Sequence, residues 1–477
     1  MRVDIVKLSK KRKSKSRGIT LVALVITIII LLTLAGVTVV MLLGQNGIIN
    51  RAKEAKFKTE EASLQEQRQL AYLEAKAMEG QFIESKGVNS PILGEAMQPV
   101  DGKGNLITNY EEWFDYKDQG TVGNDEKTSK WANAKSKDGS MWVWIPRYAY
   151  KITNLCHPQN APLENSGEIE IVFLQGTTDI SAKGNEKVDR VPSYIGESMS
   201  HFVLHPSFAS NVDKVTYTEN GGWDKELPGF WVAKYEASHS NAKDANDPSF
   251  SEENANDMGN SGIIKFQPNV LAWRGISESE IFTLCKNMKE SLNSIGENLY
   301  GFSGDNTPHQ IKNSEWGACA YLAQSKYGRN KNEVKQQSQG YITGKDNIEL
   351  ETTTTGNEYG IYDLNGGSFE YVAAYLANTT NESTASLSEE QNLCLKNIYH
   401  EYSSSKFGDG IYETSSGIET TKMSWYNDYS QYIEMGHPLF GRGGAYNGVL
   451  GTPGLFYFGY AFGGGGPGVG FRAVVVM

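Results

Sequence analysis

The chain has 477 residues, a formal net charge of −11, 50 glycines and four cysteines. This length exceeds that of one small domain and suits one large core with an extension. Basic residues crowd the first 18 positions, so the remainder is strongly acidic, which argues against nucleic acid as a partner. The cysteines form no C-x-x-C pair, which excludes a zinc ribbon or a thioredoxin motif and leaves one or two disulfides open.

The first predicted element is a membrane-spanning helix. Residues 18–50 carry no charged side chain, and the apolar run within them is longer than the roughly 30 Å hydrocarbon core of a bilayer. We predict a basic leader over 1–18 and a single-pass helix over 19–44, with the N-terminus in the cytoplasm and the C-terminal body outside the cell. An uncleaved signal anchor and a secretory signal are the alternatives, and the second lacks a small-residue cleavage site.

The junction "KSKSRGITLVALVITIII" resembles the type IV prepilin signal. In that family a prepilin peptidase cuts after the glycine on the cytoplasmic side of the membrane, which implies cleavage between Gly18 and Ile19 here. Pilins carry a glutamate as the fifth mature residue, where it pairs with a neighbouring subunit, whereas this chain has Ala23. The resemblance therefore implies processing, and the alanine argues against assembly into a long pilus.

A helical stalk and a large second domain are predicted to follow. The stretch "RAKEAKFKTEEASLQEQRQLAYLEAKAM" is rich in strong helix formers, which predicts a stalk over 45–87. Beyond it, short aromatic-rich segments alternate with Gly, Asn, Asp and Ser, as is typical of half-buried strands and turns. We therefore expect a loop-rich extracellular domain over 91–477 and an α+β fold, with most of the aromatic side chains in its core.

Several segments of this domain resemble, in their order, the formylglycine-generating-enzyme (sulfatase-modifying factor) branch of the C-type lectin fold. They are "NSEWGACAYLAQSKYG", "YGIYDLNGGSFEYV", "RGG" at Arg442 and "GFR" at Gly470. The resemblance implies a helix beside the sheet for the first segment, with Trp316 facing the core. It implies a tight turn and a strand for the second, and the closing strands of the fold for the last two.

No enzyme activity is expected. The enzymes of this family use a copper-binding cysteine pair near the C-terminus, and this chain has no cysteine after Cys394. The sequence also lacks H-E-x-x-H, G-x-S-x-G and a phosphate-binding loop. His201 and His205 have the spacing of two metal ligands on one helix face, but Pro206 follows at once, and we interpret both histidines as structural.

Calcium is the one cofactor that the family resemblance implies. Some relatives bind it near the turn that corresponds to "GNEYGIYD", which makes Asn357 and Asp363 the candidate ligands through their oxygen atoms. Other carboxylates near aromatic residues, such as Glu315 and Glu370, are interpreted as structural hydrogen-bond acceptors. No organic cofactor is expected.

The segment "YNGVLGTPGLFYFGYAFGGGGPGVG" lies between "RGG" and "GFRAV". It resembles the rewritten region of the variable proteins of diversity-generating retroelements, in which the C-type lectin fold holds that region as a ligand-binding surface. This implies exposed contact residues: Tyr446, Asn447, Val449, Leu450, Thr452, Tyr457, Tyr460 and Phe462. The alternative is a glycine-rich loop that lets the chain cross tightly against the sheet with its aromatic side chains buried. The residues leave both interpretations open.

The expected function is ligand binding at the cell surface without turnover, by a protein anchored in the cytoplasmic membrane. Its partner would be an extracellular protein or glycan of unknown identity. One alternative is a minor pilin or pseudopilin of a type IV pilus or a type II secretion-like system, which would assemble with other pilin-like subunits. The second alternative is a degenerate enzyme of the sulfatase-modifying type.

Overall fold

A computed structural model of the chain describes residues 21–43, 48–119, 128–156, 166–210, 219, 221–247, 261–345, 350–377, 379, 381–400, 406–416, 422–449 and 451–477. Gly18 and Ile19, the predicted cleavage site, lie outside the described residues, as does Leu450. The chain divides into two compact units, Met1–Gln67 and Arg68–Met477.

Two long helices come first. Helix α1 (Leu21–Leu43) has 23 residues, none of which is buried. At 1.5 Å per residue it is about 35 Å long, and it is apolar enough to cross a membrane. Helix α2 (Ile48–Ala77) buries only Ala71 and Ala75, both near its C-terminal end. Because α2 ends at Ala77 and a two-stranded hairpin follows, the helical part of the predicted stalk is shorter than 45–87.

The remaining elements mix strands with short helices, so the α+β fold class is confirmed. The further helices are α3 (Glu278–Lys286), α4 (Asn313–Gln324) and α5 (Ala385–Glu389). The strands, in chain order, are β1 (Phe82–Ile83), β2 (Val88–Asn89), β3 (Gln98–Val100), β4 (Asn133–Lys135), β5 (Met141–Pro146), β6 (Tyr148–Thr153), β7 (Glu168–Phe173), β8 (Val188–Asp189), β9 (Tyr194–Ile195), β10 (Ser198–Met199), β11 (Phe202–Leu204), β12 (Gly229–Ala233), β13 (Ser238–His239), β14 (Ile264–Lys265), β15 (Thr307–Gln310), β16 (Phe369–Leu376), β17 (Asn397–Tyr399), β18 (Lys422–Met423), β19 (Tyr429–Ser430), β20 (Leu439–Arg442), β21 (Phe458–Ala461), β22 (Val469–Phe471) and β23 (Ala473–Val476).

The C-terminal strand lies inside a six-stranded sheet with the order β15-β23-β12-β5-β4-β3. All its pairings are antiparallel, and Trp231 of β12 lies opposite both Trp144 of β5 and Val475 of β23. The two indole rings meet edge to face at 5.2 Å. The alternating Trp142 and Trp144 are both buried, as expected for strand residues in a core.

Residues 469–476 connect this sheet to a second one. In the seven-stranded sheet, β16 pairs with β17, β20 and β22, and the order continues through β21, β19 and β18. Strand β22 belongs to that sheet, whereas β23 belongs to the six-stranded sheet, so Arg472 stands at the point where the chain changes sheets. A third sheet has the order β8-β11-β6-β10-β9, with β7 paired to β6.

Helix α4 is buried along its whole length, because every residue from Asn313 to Gln324 is in the core. The prediction of a helix over this segment with Trp316 facing the core is confirmed. The cysteines at 156, 285, 319 and 394 are all buried free thiols, so the structure joins none of them in a disulfide.

Candidate functional site

The candidate site is the C-terminal surface, which we define as the exposed side chains between Tyr446 and Phe462. Its base is Arg442, the last residue of β20, whose side chain is fully buried. The guanidinium donates hydrogen bonds to Asn313 Oδ1 of α4 at 3.1 Å and to the carbonyls of Tyr457, Asp409 and Gly410 at 2.9–3.0 Å. Burial lowers the pKa of Arg442 to about 10. This arginine ties the start of the surface to the buried helix.

The two glycines after Arg442 turn the chain tightly. Gly443 and Gly444 both have positive φ values, 77° and 73°, which favour glycine. A Cβ atom on Gly444 would lie 2.7 Å from Pro453. The "RGG" segment is therefore a fixed structural turn.

The chain beyond this turn presents exposed side chains. Asn447, Val449 and Thr452 are exposed, and Val449 reaches 74% exposure. Tyr446 is half-buried, with its ring edge-on to Tyr341 at a centroid distance of 4.7 Å. The structure therefore brings these predicted residues to one short stretch of the surface.

Tyr457 is a correction to the prediction, because the structure buries it to 1% exposure. Its ring stacks on Tyr429 at 5.5 Å and meets Phe369 edge-on at 5.9 Å. Its side chain lies next to the core strand β16 rather than outward, and burial raises the pKa of Tyr457. Tyr457 thus stabilises the base of the surface and does not contact solvent.

An aromatic cluster forms around the end of β21. Phe462 is 63% exposed and Tyr460 is half-buried. The His437 ring lies 4.1 Å from the Tyr460 ring and 3.8 Å from the Phe462 ring, and Nδ1 of His437 is 2.7 Å from Glu434 Oε1. No sequence motif marks His437, since only the pairing of β20 with β21 brings it beside residues far along the chain.

Part of the glycine run Gly463–Gly466 allows a tight crossing of the chain, which is the alternative interpretation of this segment. A Cβ on Gly463 would lie 2.4 Å from Leu439, and one on Gly465 would lie 2.3 Å from the carbonyl oxygen of Gly275. The backbone carbonyls of Gly463 and Gly466 accept hydrogen bonds from the amides of Glu278 and Gly275. Glycine is therefore required at two positions for a close crossing of chains.

The two candidate calcium ligands face different neighbours. Asn357 Oδ1 accepts hydrogen bonds from Thr355 Oγ1 and the Tyr359 amide, and its Nδ2 donates to the Ser129 carbonyl. Asp363 Oδ2 instead accepts from the Gly344 amide at 2.7 Å. No group of three or more His, Cys, Asp or Glu side chains suited to a metal ion occurs among the described residues.

Asp363 belongs to a buried group of carboxylates beside Arg472. The guanidinium of Arg472 binds Glu370 through two nitrogens, and Glu236 accepts hydrogen bonds from the amide and hydroxyl of Ser368. Burial raises the pKa of Glu236 and Glu370, and it raises the pKa of Asp363 to about 7. These carboxylates fix the point where the chain changes sheets, in keeping with a structural role for Glu370.

The two histidines with metal-ligand spacing lie in different environments. His201 is exposed and is 3.6 Å from Asp189, whereas His205 is fully buried with Nδ1 2.8 Å from the Ser207 hydroxyl. Burial lowers the pKa of His205 to about 3. His205 caps a short turn that begins at Pro206, as expected for a structural histidine.

A scan against models of protein families and a search of curated proteins find no match to this chain. The family resemblances therefore remain predictions from the sequence motifs.

Proposed function

We propose that this protein is a membrane-anchored binding protein that recognises an extracellular ligand through its C-terminal surface. One observation carries the proposal. Val449 and Phe462 are 74% and 63% exposed, while the chain between them, from Pro453 to Gly459, is buried. Exposed apolar side chains held on a rigid buried base offer contact area at low entropic cost on binding.

Helix α1 would supply the anchor. Its length and apolar composition suit one crossing of the cytoplasmic membrane, and the basic leader favours a cytoplasmic N-terminus. Processing by a prepilin peptidase after Gly18 belongs to this proposal, as does a domain of the C-type lectin type over 91–477. The C-terminal domain would then face the outside of the cell.

Retroelement-directed variation of the C-terminal surface is part of the same proposal. Exposed positions such as Asn447, Val449 and Thr452 accept many side chains, since they contribute little to the core. Sequencing of the codons for residues 440–477 across a population tests it. Substitutions confined to exposed positions, with Arg442 and Arg472 unchanged, are expected; a uniform sequence would contradict the idea of variation.

The binding test uses the full chain in lipid nanodiscs and a yeast-displayed library of folded domains as the probe. We expect selected domains to bind the wild-type chain and to lose at least about tenfold in affinity for the double variant Val449→Ser, Phe462→Ser. The matched control is Val191→Ser, Ile195→Ser, which removes two side chains of 65% and 75% exposure elsewhere. Equal loss in both double variants, or in neither, would contradict recognition by this surface.

A minor pilin is the second candidate, because every residue of α1 is exposed and Phe57 of α2 is 65% exposed. Exposed apolar helix faces favour packing against other helices in a membrane or filament. Copurification of the processed chain with other pilin-like subunits would favour this candidate over a free-standing anchor.

A further inference from the structure

A second concave site lies within the unit Arg68–Met477. Its volume is about 780 Å³, and none of its lining residues belongs to the C-terminal surface. Its walls are residues 82–87, strand β7 with residues 181–183, and residues 324–331 at the end of α4. This volume is in the range of cavities that hold small organic ligands.

The walls carry five lysines and four glutamates, so their charges nearly balance, and two pairs of opposite charge are in contact. Lys151 Nζ lies 3.1 Å from Glu170 Oε1, and Lys331 Nζ lies 2.9 Å from Glu168 Oε2. A strongly charged ligand would have to compete with these pairs for its partner. The balance of charge therefore favours a neutral polar ligand.

The side-chain carbonyl oxygen of Gln324, on one wall of this groove, accepts no hydrogen bond from the described residues. The Tyr426 hydroxyl donates to the Lys331 carbonyl at 2.7 Å, so it accepts from Gln324 Nε2, which lies 2.6 Å away. This fixes the orientation of the amide and leaves Gln324 Oε1 without a hydrogen-bond partner in the described part of the chain, although the residue is 1% exposed. The carbonyl dipole of this buried acceptor makes the adjoining wall more favourable to hydroxyl donors than to anions.

Asn330 and Tyr327 line the same wall. The Asn330 side chain is half-buried and makes no hydrogen bond to any residue that the structure describes, and its backbone has a positive φ of 48°. The half-buried Tyr327 ring packs on Phe173 at a centroid distance of 4.7 Å, which holds it in place. A fixed aromatic ring beside amide groups suits a ligand with both apolar and hydroxyl-bearing faces.

We propose that this groove binds a neutral polyhydroxylated ligand, such as a two- or three-unit oligosaccharide. Its hydroxyls bond the Asn330 amide, and one sugar ring packs on Tyr327. The site is separate from the C-terminal surface, so the chain would carry two binding sites.

The test measures binding of maltotriose, cellotriose and triacetylchitotriose by calorimetry at millimolar concentration. The full chain is held in phosphatidylcholine nanodiscs, since detergents with sugar headgroups would compete. We expect one of the three to bind, and Asn330→Gly and Tyr327→Leu each to weaken it about fivefold. Glycine keeps the left-handed backbone at position 330, and leucine keeps apolar bulk at 327, so both variants preserve the fold.

The control is the double variant Val449→Ser, Phe462→Ser, which should bind the trisaccharide as the wild-type chain does. Absence of binding by all three sugars would overturn the proposal. Binding unaffected by both groove variants, or stronger binding of a sulfated trisaccharide, would also overturn it. The library domains are compared on the Val449 and Phe462 variant and the trisaccharides on the groove variants, so failure of one site is distinguishable from failure of the other.

Discussion

Glu278 is a buried carboxyl whose removal should stabilise the protein at neutral pH. It is the first residue of α3, its side chain is fully buried, and Oε2 accepts from Gln310 Nε2 at 2.9 Å. Oε1 has no hydrogen-bond partner among the described residues. Burial raises the pKa of Glu278 from about 4.5 to about 8.

The sign of the pH dependence follows from this raised pKa. Between pH 4.5 and 8 the unfolded chain has lost the proton of Glu278, while the folded chain keeps it. The contribution of Glu278 to the free energy of unfolding is therefore greatest below pH 4.5. It falls by about 1.4 kcal/mol for each pH unit as the pH rises to 8. The loss reaches about 3 to 4 kcal/mol at pH 7 and about 5 kcal/mol above pH 8.

The substitution Glu278→Gln removes this titration and keeps the size of the side chain. The free energy of unfolding of the variant should exceed that of the wild type by an amount that grows from pH 5 to pH 8. Urea unfolding of the full chain in nanodiscs, followed by tryptophan fluorescence, measures it. The control is Glu290→Gln, an exposed glutamate after the same helix, for which we expect a difference within about 0.5 kcal/mol. A difference for Glu278→Gln that does not change with pH would refute the reasoning.

Three further outcomes follow from packing and charge. Gly465→Ala should destabilise by about 2 kcal/mol, because its Cβ would lie 2.3 Å from the Gly275 carbonyl oxygen; Gly464→Ala, with open space around its Cβ, should stay within about 0.5 kcal/mol in the same urea titration. Arg442→Met should lower the free energy of unfolding by about 3–5 kcal/mol, since it leaves buried acceptors unpaired; a loss below 1 kcal/mol would contradict that role. The depressed pKa of His205 contributes stability above pH 6.5 that is lost as the pH falls towards 3. The free energy of unfolding of His205→Phe should therefore rise relative to that of the wild type by about 1.4 kcal/mol for each pH unit below 6. Unfolding free energies of the two proteins that change in parallel with pH would contradict this.

Features that depend on local sequence could be predicted. Helix α1 follows from a run of apolar residues without charge, and α4 is the helix that the family resemblance of "NSEWGACAYLAQSKYG" implies. The predicted tight turn at Gly366 and Gly367, just before β16, has the positive φ values that glycine accepts. In each case the cause lies within a few neighbouring residues, so one sequence is enough.

Features that depend on strand register could not be predicted. Tyr457 and Phe462 are both aromatic residues of the same segment, yet Tyr457 is buried and Phe462 is 63% exposed. The difference arises because only Tyr457 packs against Phe369 of β16 and Tyr429. His437 reaches Phe462 only through the pairing of β20 with β21. The groove beside Gln324 likewise joins three distant segments.

The two interpretations of the C-terminal segment, a tight glycine-rich crossing and an exposed contact surface, apply to different residues of it. Gly463 and Gly465 have no room for a side chain, and Arg442 and Tyr457 are locked into the core, so these residues hold the backbone in one path. Val449 and Phe462 lie on that same path but project into solvent. Because the backbone is fixed by residues other than the exposed ones, a change of side chain at an exposed position alters the surface and leaves the base intact. A tight glycine crossing and a surface open to variation are therefore compatible, since the first supplies the rigidity that the second requires.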